Sequence, residues 1–232
     1  MTTLTILSGG AAQGLVRGLS DAFKTKTSLS IDGEFGAVGI MADKLRTGTP
    51  ADLVILTQAL LAKLAEEKLV VPSSIADVGR VETALAVRNR DPKVTAKTEA
   101  DLREVFRSAD AIYVPDIKAS TAGQHVAKVL DQLGIAYEVA SRLKIFPNGA
   151  TAMRELATST AAHPIGCTQA TEIIATDGIA LSGSLPPGCE LVTMYTAGVT
   201  ARAAHPNEAA ALIALLTGAD HKELRQRAGF AG

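Results

Sequence analysis

Cys167-Thr168-Gln169 places a thiol, a hydroxyl and an amide side by side between an apolar run and a helical pattern. Donors at such a junction can hold an oxyanion or carboxylate, and a helix start lowers a thiol's pKa, so Cys167 is also a candidate nucleophile or proton carrier. The plainer alternative is a capped helix, with Thr168 as N-cap and Cys167 as a small buried thiol. Three other residues could move a proton. Glu34 falls in the loop expected to feed a second helix, while His125 and His163 each fall beside an element boundary. Against these stand simple solvation for Glu34 and a surface or hydrogen-bonded core position for each histidine. Lys118 and Arg88 are the cations placed to pair with a polycarboxylate, a solvated position being the alternative for each.

A second junction lies at the N-terminus. In Thr5–Val16, TILSGGAAQGLV, an aliphatic run stops at Ser8-Gly9-Gly10 and a helical pattern begins at once. Backbone N–H groups at a helix start have no internal partner, so the junction can seat an anion without a charged side chain; the alternative is one of the many strand-glycine-helix junctions that bind nothing. Gly9 to Gly14 has P-loop spacing, but Leu15 and Val16 stand where Lys and Ser or Thr are required, so nucleotide hydrolysis is excluded. The Gly-x-Gly-x-x-Gly dinucleotide pattern is absent, and no His, Cys and Asp spacing resembles a zinc site. No cofactor and no metal is expected.

The elements that must position these residues alternate. Strands at 4–7, 29–32, 52–56 and 81–87 interleave with helices at 11–24, 37–46 and 58–67, the pattern of parallel βαβ units. A second series follows. It has helices at 99–108, 123–133, 151–158 and 169–175, and strands at 111–114, 144–146, 163–166 and 178–182. The polar segment Arg88–Lys93 reads as a crossing, and the long strand Glu190–Val199 as a return, before helices at 207–216 and 221–227. The expected organisation is a lobe of 1–85 plus 195–232 and a lobe of 86–194, two Rossmann-like α/β lobes whose two crossings form a hinge.

Composition removes other classes. With 47% hydrophobic residues, 20% charged residues, net charge -1 and no tryptophan, the chain has no basic, aromatic-interleaved face for nucleic acid. No run approaches the roughly 20 apolar residues of a spanning helix, so membrane insertion is not expected. The chain passes from Met1-Thr2-Thr3 straight into a strand. That start predicts a cytoplasmic protein as the sequence stands, or a periplasmic one if a signal peptide has been removed. Cys167 and Cys189 fit either two thiols or one disulfide.

Taken in order, TLTILSGGAAQGLVRGLSDAFK, GAVGIMADKLRTGTPADLVIL, ASTAGQHVAKVLDQLGI, AAHPIGCTQATEI and AHPNEAAALIALLTG resemble the molybdate-binding, type II periplasmic-binding-protein family of solute receptors. The resemblance runs over about residues 3 to 218 and includes the family's Gly-x-Pro-Ala-Asp step at Gly48–Asp52. It implies an interlobe cleft in which helix N-termini hold the ligand. The ligand-facing positions it implies are Ser8, Gly10 and Ala11, then Ala37 and Val38, Ser120 and Thr121, and Cys167, Thr168 and Gln169. Receptors for molybdate typically carry a serine at both first-lobe helix starts and a tyrosine near the place of Cys167; this chain has alanine, alanine or valine, and cysteine. A dry oxyanion site loses about 1 to 3 kcal/mol per missing donor. A small carboxylate is therefore expected rather than molybdate, with an ABC-transporter membrane component as the implied partner. The resemblance extends to aconitate-isomerase-like relatives, cofactor-free enzymes that shift a proton and a double bond within a tricarboxylate. On that alternative Glu34, His125, His163 and Cys167 are the candidates for the acid and base.

Overall fold

The computed structural model describes residues 2–232. The chain divides into two compact units, one of residues up to Val81 with Met194–Gly232, the other Glu82–Thr193. The polar segment at 88–93 lies inside the second unit, and the chain changes unit within two long strands.

Unit 1 opens with β1 (Thr3–Gly9), a single 3-10 turn at Gly10–Ala12 and α1 (Gln13–Thr27). Then come β2 (Ser30–Gly36), α2 (Val38–Arg46), β3 (Leu53–Thr57), α3 (Gln58–Glu66) and the first half of β4 (Ala76–Arg88). Its sheet runs β2-β1-β3, all parallel. The returning strand Val192–Val199 lies antiparallel on β3, with Thr57 opposite Tyr195. Leu4, Ile6, Leu15, Phe23, Leu53, Ile55, Leu61 and Leu212 form the core between sheet and helices. Gly48, at φ 92°, closes the α2 connection in the left-handed region that glycine enters freely.

Asp52 is the polar keystone of this unit. Its buried carboxylate accepts hydrogen bonds from Thr5 N (2.8 Å), Thr5 Oγ1 (2.9 Å), Ala204 N (2.7 Å) and His205 N (2.9 Å). It thereby ties β1 to β3 and both to the start of the C-terminal helix Pro206–Thr217. Burial alone would raise its pKa, but the surrounding donors prevail and hold it below the usual carboxylate range.

Unit 2 continues with α4 (Glu99–Ser108), β5 (Ala111–Pro115), α5 (Thr121–Gln132), α6 (Ala136–Val139), β6 (Leu143–Phe146) and α7 (Gly149–Thr158). It closes with β7 (Pro164–Gln169), α8 (Ala170–Ile174), β8 (Ile179–Ser184) and the start of β9 (Val192–Val199). β5 is parallel to β6 and β7, and β4 is antiparallel to β7 and β8. The period-two alternation of β4 sends Leu85 and Val87 into a core with Phe106, Val126, Ile165 and Cys167. Ala84 and Ala86 face the opposite way, against Met153, Leu156 and Ile173. Among the described residues no helix is long and apolar enough to cross a membrane.

Candidate functional site

In an open parallel sheet each strand hands over to a helix at its C-terminal end, so N–H-rich helix starts collect along one edge. In unit 1 that edge carries Gly10 and Ala11 after β1, and Ala37 and Val38 after β2. Neither the turn after Gly9 nor α2 has a side-chain cap, and Ala11, Ala37 and Val38 are buried. Ser8 is buried too, but its hydroxyl turns back to donate to the Gly9 carbonyl at 2.9 Å. The elements close tightly here: a Cβ on Gly9 would lie 2.7 Å from Val38 Cγ1 and 3.1 Å from Tyr195 Cε1. The β3–β9 register thus brings Tyr195, with its ring edge-on to Phe230 at 6.3 Å, to the same edge. Nothing local in the sequence marks that tyrosine.

Glu34 departs from the expected loop. β2 continues to Gly36, so Glu34 is an exposed strand residue in an ion pair with Lys44.

The corresponding edge of unit 2 holds Ser120 and Thr121 after β5 and Gln169 after β7. Ser120 caps α5, its hydroxyl oxygen accepting from Gly123 N at 3.4 Å. Asp116 accepts from Lys118 N (2.7 Å) and Ala119 N (2.9 Å), and these donors hold its carboxyl below the usual range. The Lys118 side chain is exposed. His125 Nε2 meets the Cys189 carbonyl oxygen at 2.8 Å, pinning the Pro186–Cys189 turn to α5.

The Cys167 region is strand where a loop was expected. β7 runs through Gln169, α8 is a single turn, and its N-cap is Gln169, not Thr168. Thr168 and Gln169 are polar yet strand-forming because each finds a buried partner: Thr168 Oγ1 donates to Glu172 Oε2 at 2.6 Å, and Gln169 Nε2 to Thr193 Oγ1 at 3.4 Å. Cys167 faces the core with no exposed surface, and burial pushes its thiol up to about 12. That is opposite to what a nucleophile needs. Both cysteines are free. Native protein is expected to leave Cys167 unmodified by a thiol-specific aromatic disulfide at pH 8 over minutes and to expose it in denaturant; rapid native labelling would contradict the burial.

Glu172 is the acid that the sequence reading passed over. Its carboxylate accepts from Thr168 Oγ1 and lies against the start of α7, beside the backbone N–H groups of Gly149 and Ala150. A Cβ on Gly149 would collide with that carboxylate and with the Thr168 hydroxyl. Burial raises the Glu172 pKa, outweighing the donors that favour its ionised form. The only local sign is the four-residue spacing from Thr168 to Glu172.

His163 is exposed at the opposite end of β7, where its backbone pairs with Asp110. A six-residue strand separates it from Gln169 by roughly 20 Å. There it joins Val87, Val94, Val105 and Ile165 around a cavity of about 560 Å³. Arg88 is buried with all five donors engaged, by Asp91 Oδ1 and Oδ2 and the carbonyls of Ser159, Ala161 and Ala162. It ties down the 159–162 segment and has no donor left for a ligand. Within unit 2, His163 is thus exposed at the far end of β7 while Cys167 is buried in the core.

The sequence pattern of the bacterial extracellular solute-binding protein family extends over residues 4–231. The chain belongs to this family. The periplasmic molybdate-binding protein of Azotobacter vinelandii superposes with a TM-score of 0.81 at 16% identity, covering 99% of both chains. PEB3 with bound L-phospholactate gives 0.70 at 16% identity, again over 99% of both. The solute-binding protein is also 27% identical over 241 residues to an aconitate isomerase of a Pseudomonas species, covering 99% of this chain and 88% of that protein. Its fold is that of the type II periplasmic binding proteins.

Proposed function

We propose that this solute-binding protein is a receptor for a small organic carboxylate, acting outside the cytoplasm and delivering its ligand to an ABC-transporter membrane component. The ligand-facing positions are Gly10, Ala11, Ala37 and Val38 in unit 1 and Ser120, Thr121 and Gln169 in unit 2. The observation that carries this reading is the start of α2, where Ala37 offers no side-chain cap and Val38 follows, both buried. Such a start supplies backbone N–H donors and no hydroxyl. A tetrahedral oxyanion presents four oxygens and forfeits about 1 to 3 kcal/mol for each donor missing from a dry site, whereas a carboxylate presents two and is served by fewer. Glu172 on α8 sets its carboxyl against the start of α7, beside the Gly149 and Ala150 N–H groups, within this same chain. The aconitate isomerase relative, named for a small organic acid, and PEB3, described with L-phospholactate bound, add support.

A panel of molybdate, tungstate, sulfate and di- and tricarboxylates in a thermal-shift assay tests the reading. A ligand present at 100 times its Kd adds about 2.7 kcal/mol to the native state, roughly 5 to 10 °C in Tm for a chain of this size. A carboxylate is expected to give that shift. Stabilisation by molybdate alone would sink the proposal.

The full-length similarity to an aconitate isomerase favours a second reading, a cofactor-free isomerase of a small polycarboxylate. It requires a proton carrier, and Glu172 is the buried acid of unit 2 nearest Gln169 in the chain. Incubation of cis- or trans-aconitate with the protein in deuterium oxide decides it: exchange or isomerisation supports the enzyme, and an unchanged spectrum removes it.

A further inference from the structure

Thr83 stands directly opposite Gln169 in the β4–β7 ladder. Residues 83, 85 and 87 share one face of the sheet with 165, 167 and 169, and everywhere but at this last pair that face is apolar and packed. Both residues are buried. Gln169 Nε2 reaches Thr193 Oγ1, but Gln169 Oε1 and Thr83 Oγ1 have no hydrogen-bond partner among the described residues. A buried donor or acceptor left unmade carries its full desolvation penalty, and two such groups side by side in a ladder form a matched pair. The pair lies where β7 ends, at the strand edge beside which open α/β sheets take their ligands.

We propose that Thr83 and Gln169 form a subsite for a hydroxyl group of the ligand. The ligand O–H donates to Gln169 Oε1, and its oxygen accepts from the Thr83 hydroxyl. A carboxylate oxygen does not suit the position, because it has no proton to donate and would set its lone pairs against Gln169 Oε1. A hydroxyl satisfies both groups at once. This inference rests on the carboxylate reading and narrows it from carboxylates in general to hydroxycarboxylates.

Calorimetric titration of the full chain with matched pairs, citrate against tricarballylate and malate against succinate, tests it. The hydroxylated member of a pair is expected to bind about 10-fold tighter, because the deoxy analogue leaves both protein groups unpaired. Gln169→Met and Thr83→Val are expected to shrink the ratio below about 3-fold by weakening the hydroxylated ligand only. Thr83→Ser, which keeps the hydroxyl, retains the preference. Thr83→Val replaces an unsatisfied group and is expected to melt no lower than the parent, whereas Gln169→Met also removes the bond to Thr193 and is expected to melt slightly lower. Equal affinity within each pair, or a ratio unchanged in both apolar variants, overturns the subsite and leaves the carboxylate reading standing. Binding of neither member overturns the carboxylate reading and the subsite with it.

Discussion

Asp52→Ala is expected to lower the unfolding free energy by about 3 to 5 kcal/mol, the range for removing one partner from a buried, charge-assisted network. The carboxylate accepts from Thr5, Ala204 and His205, so its loss strands donors on β1 and at the start of the C-terminal helix together. Urea unfolding followed by circular dichroism at pH 7 measures the loss; a change under about 1 kcal/mol would show that these bonds do not hold the unit together. The pH dependence has a definite sign. The folded carboxyl lies below its unfolded value, so its contribution is complete above about pH 4 and disappears as pH falls through the folded pKa. The gap between the parent and Asp52→Asn should therefore narrow on acidification.

Glu172→Ala is expected to cost about 2 to 3 kcal/mol, because it strands the buried Thr168 hydroxyl and empties the space beside the start of α7. Glu172→Gln keeps an acceptor oxygen and a similar shape, so about 1 kcal/mol is expected. Here the linkage runs the other way. Burial holds the folded carboxyl above its unfolded value, so the contribution is complete below about pH 4 and is lost as pH rises through the folded pKa. Relative to Glu172→Gln, the parent should be more stable at pH 4 than at pH 7. The same urea titrations, run at both values, read this directly; a parent that gains on the variant as pH rises would contradict the burial-dominated carboxyl.

The alternation of strands and helices is legible because the apolar periods of two and 3.6 are local. So are the strand-to-helix junctions at Gly9–Ala11 and Ala37–Val38, since glycine and alanine at the end of an aliphatic run announce them. What local pattern does not carry is the partner that makes a polar residue buried. Thr168 looks like an N-cap and Gln169 like a helix start, not strand, until Glu172 and Thr193 are beside them. Arg88 looks like a free cation until the backbone carbonyls of 159–162 take its donors. Glu34 looks like loop because Asp32 and Glu34 interrupt the apolar run, yet β2 pairs with β1 alone and tolerates polar residues facing solvent. Tyr195 reaches the helix starts of unit 1 only through its register opposite Thr57, a long-range fact. Glu172 and Thr83 carried no such signal: contact alone sets Glu172 on Thr168 and Thr83 opposite Gln169, on the two faces of the unit 2 sheet.

The central claim is that the uncapped helix starts of unit 1, with no hydroxyl at Gly10, Ala11, Ala37 or Val38, select a carboxylate over a tetrahedral metal oxyanion. Isothermal titration of the purified protein with a tricarboxylate and, separately, with molybdate tests it most directly. The prediction is saturable one-to-one binding of the carboxylate, with molybdate at least about 100-fold weaker, the effect of two or more missing donors. Molybdate binding as tight as or tighter than any carboxylate would contradict it.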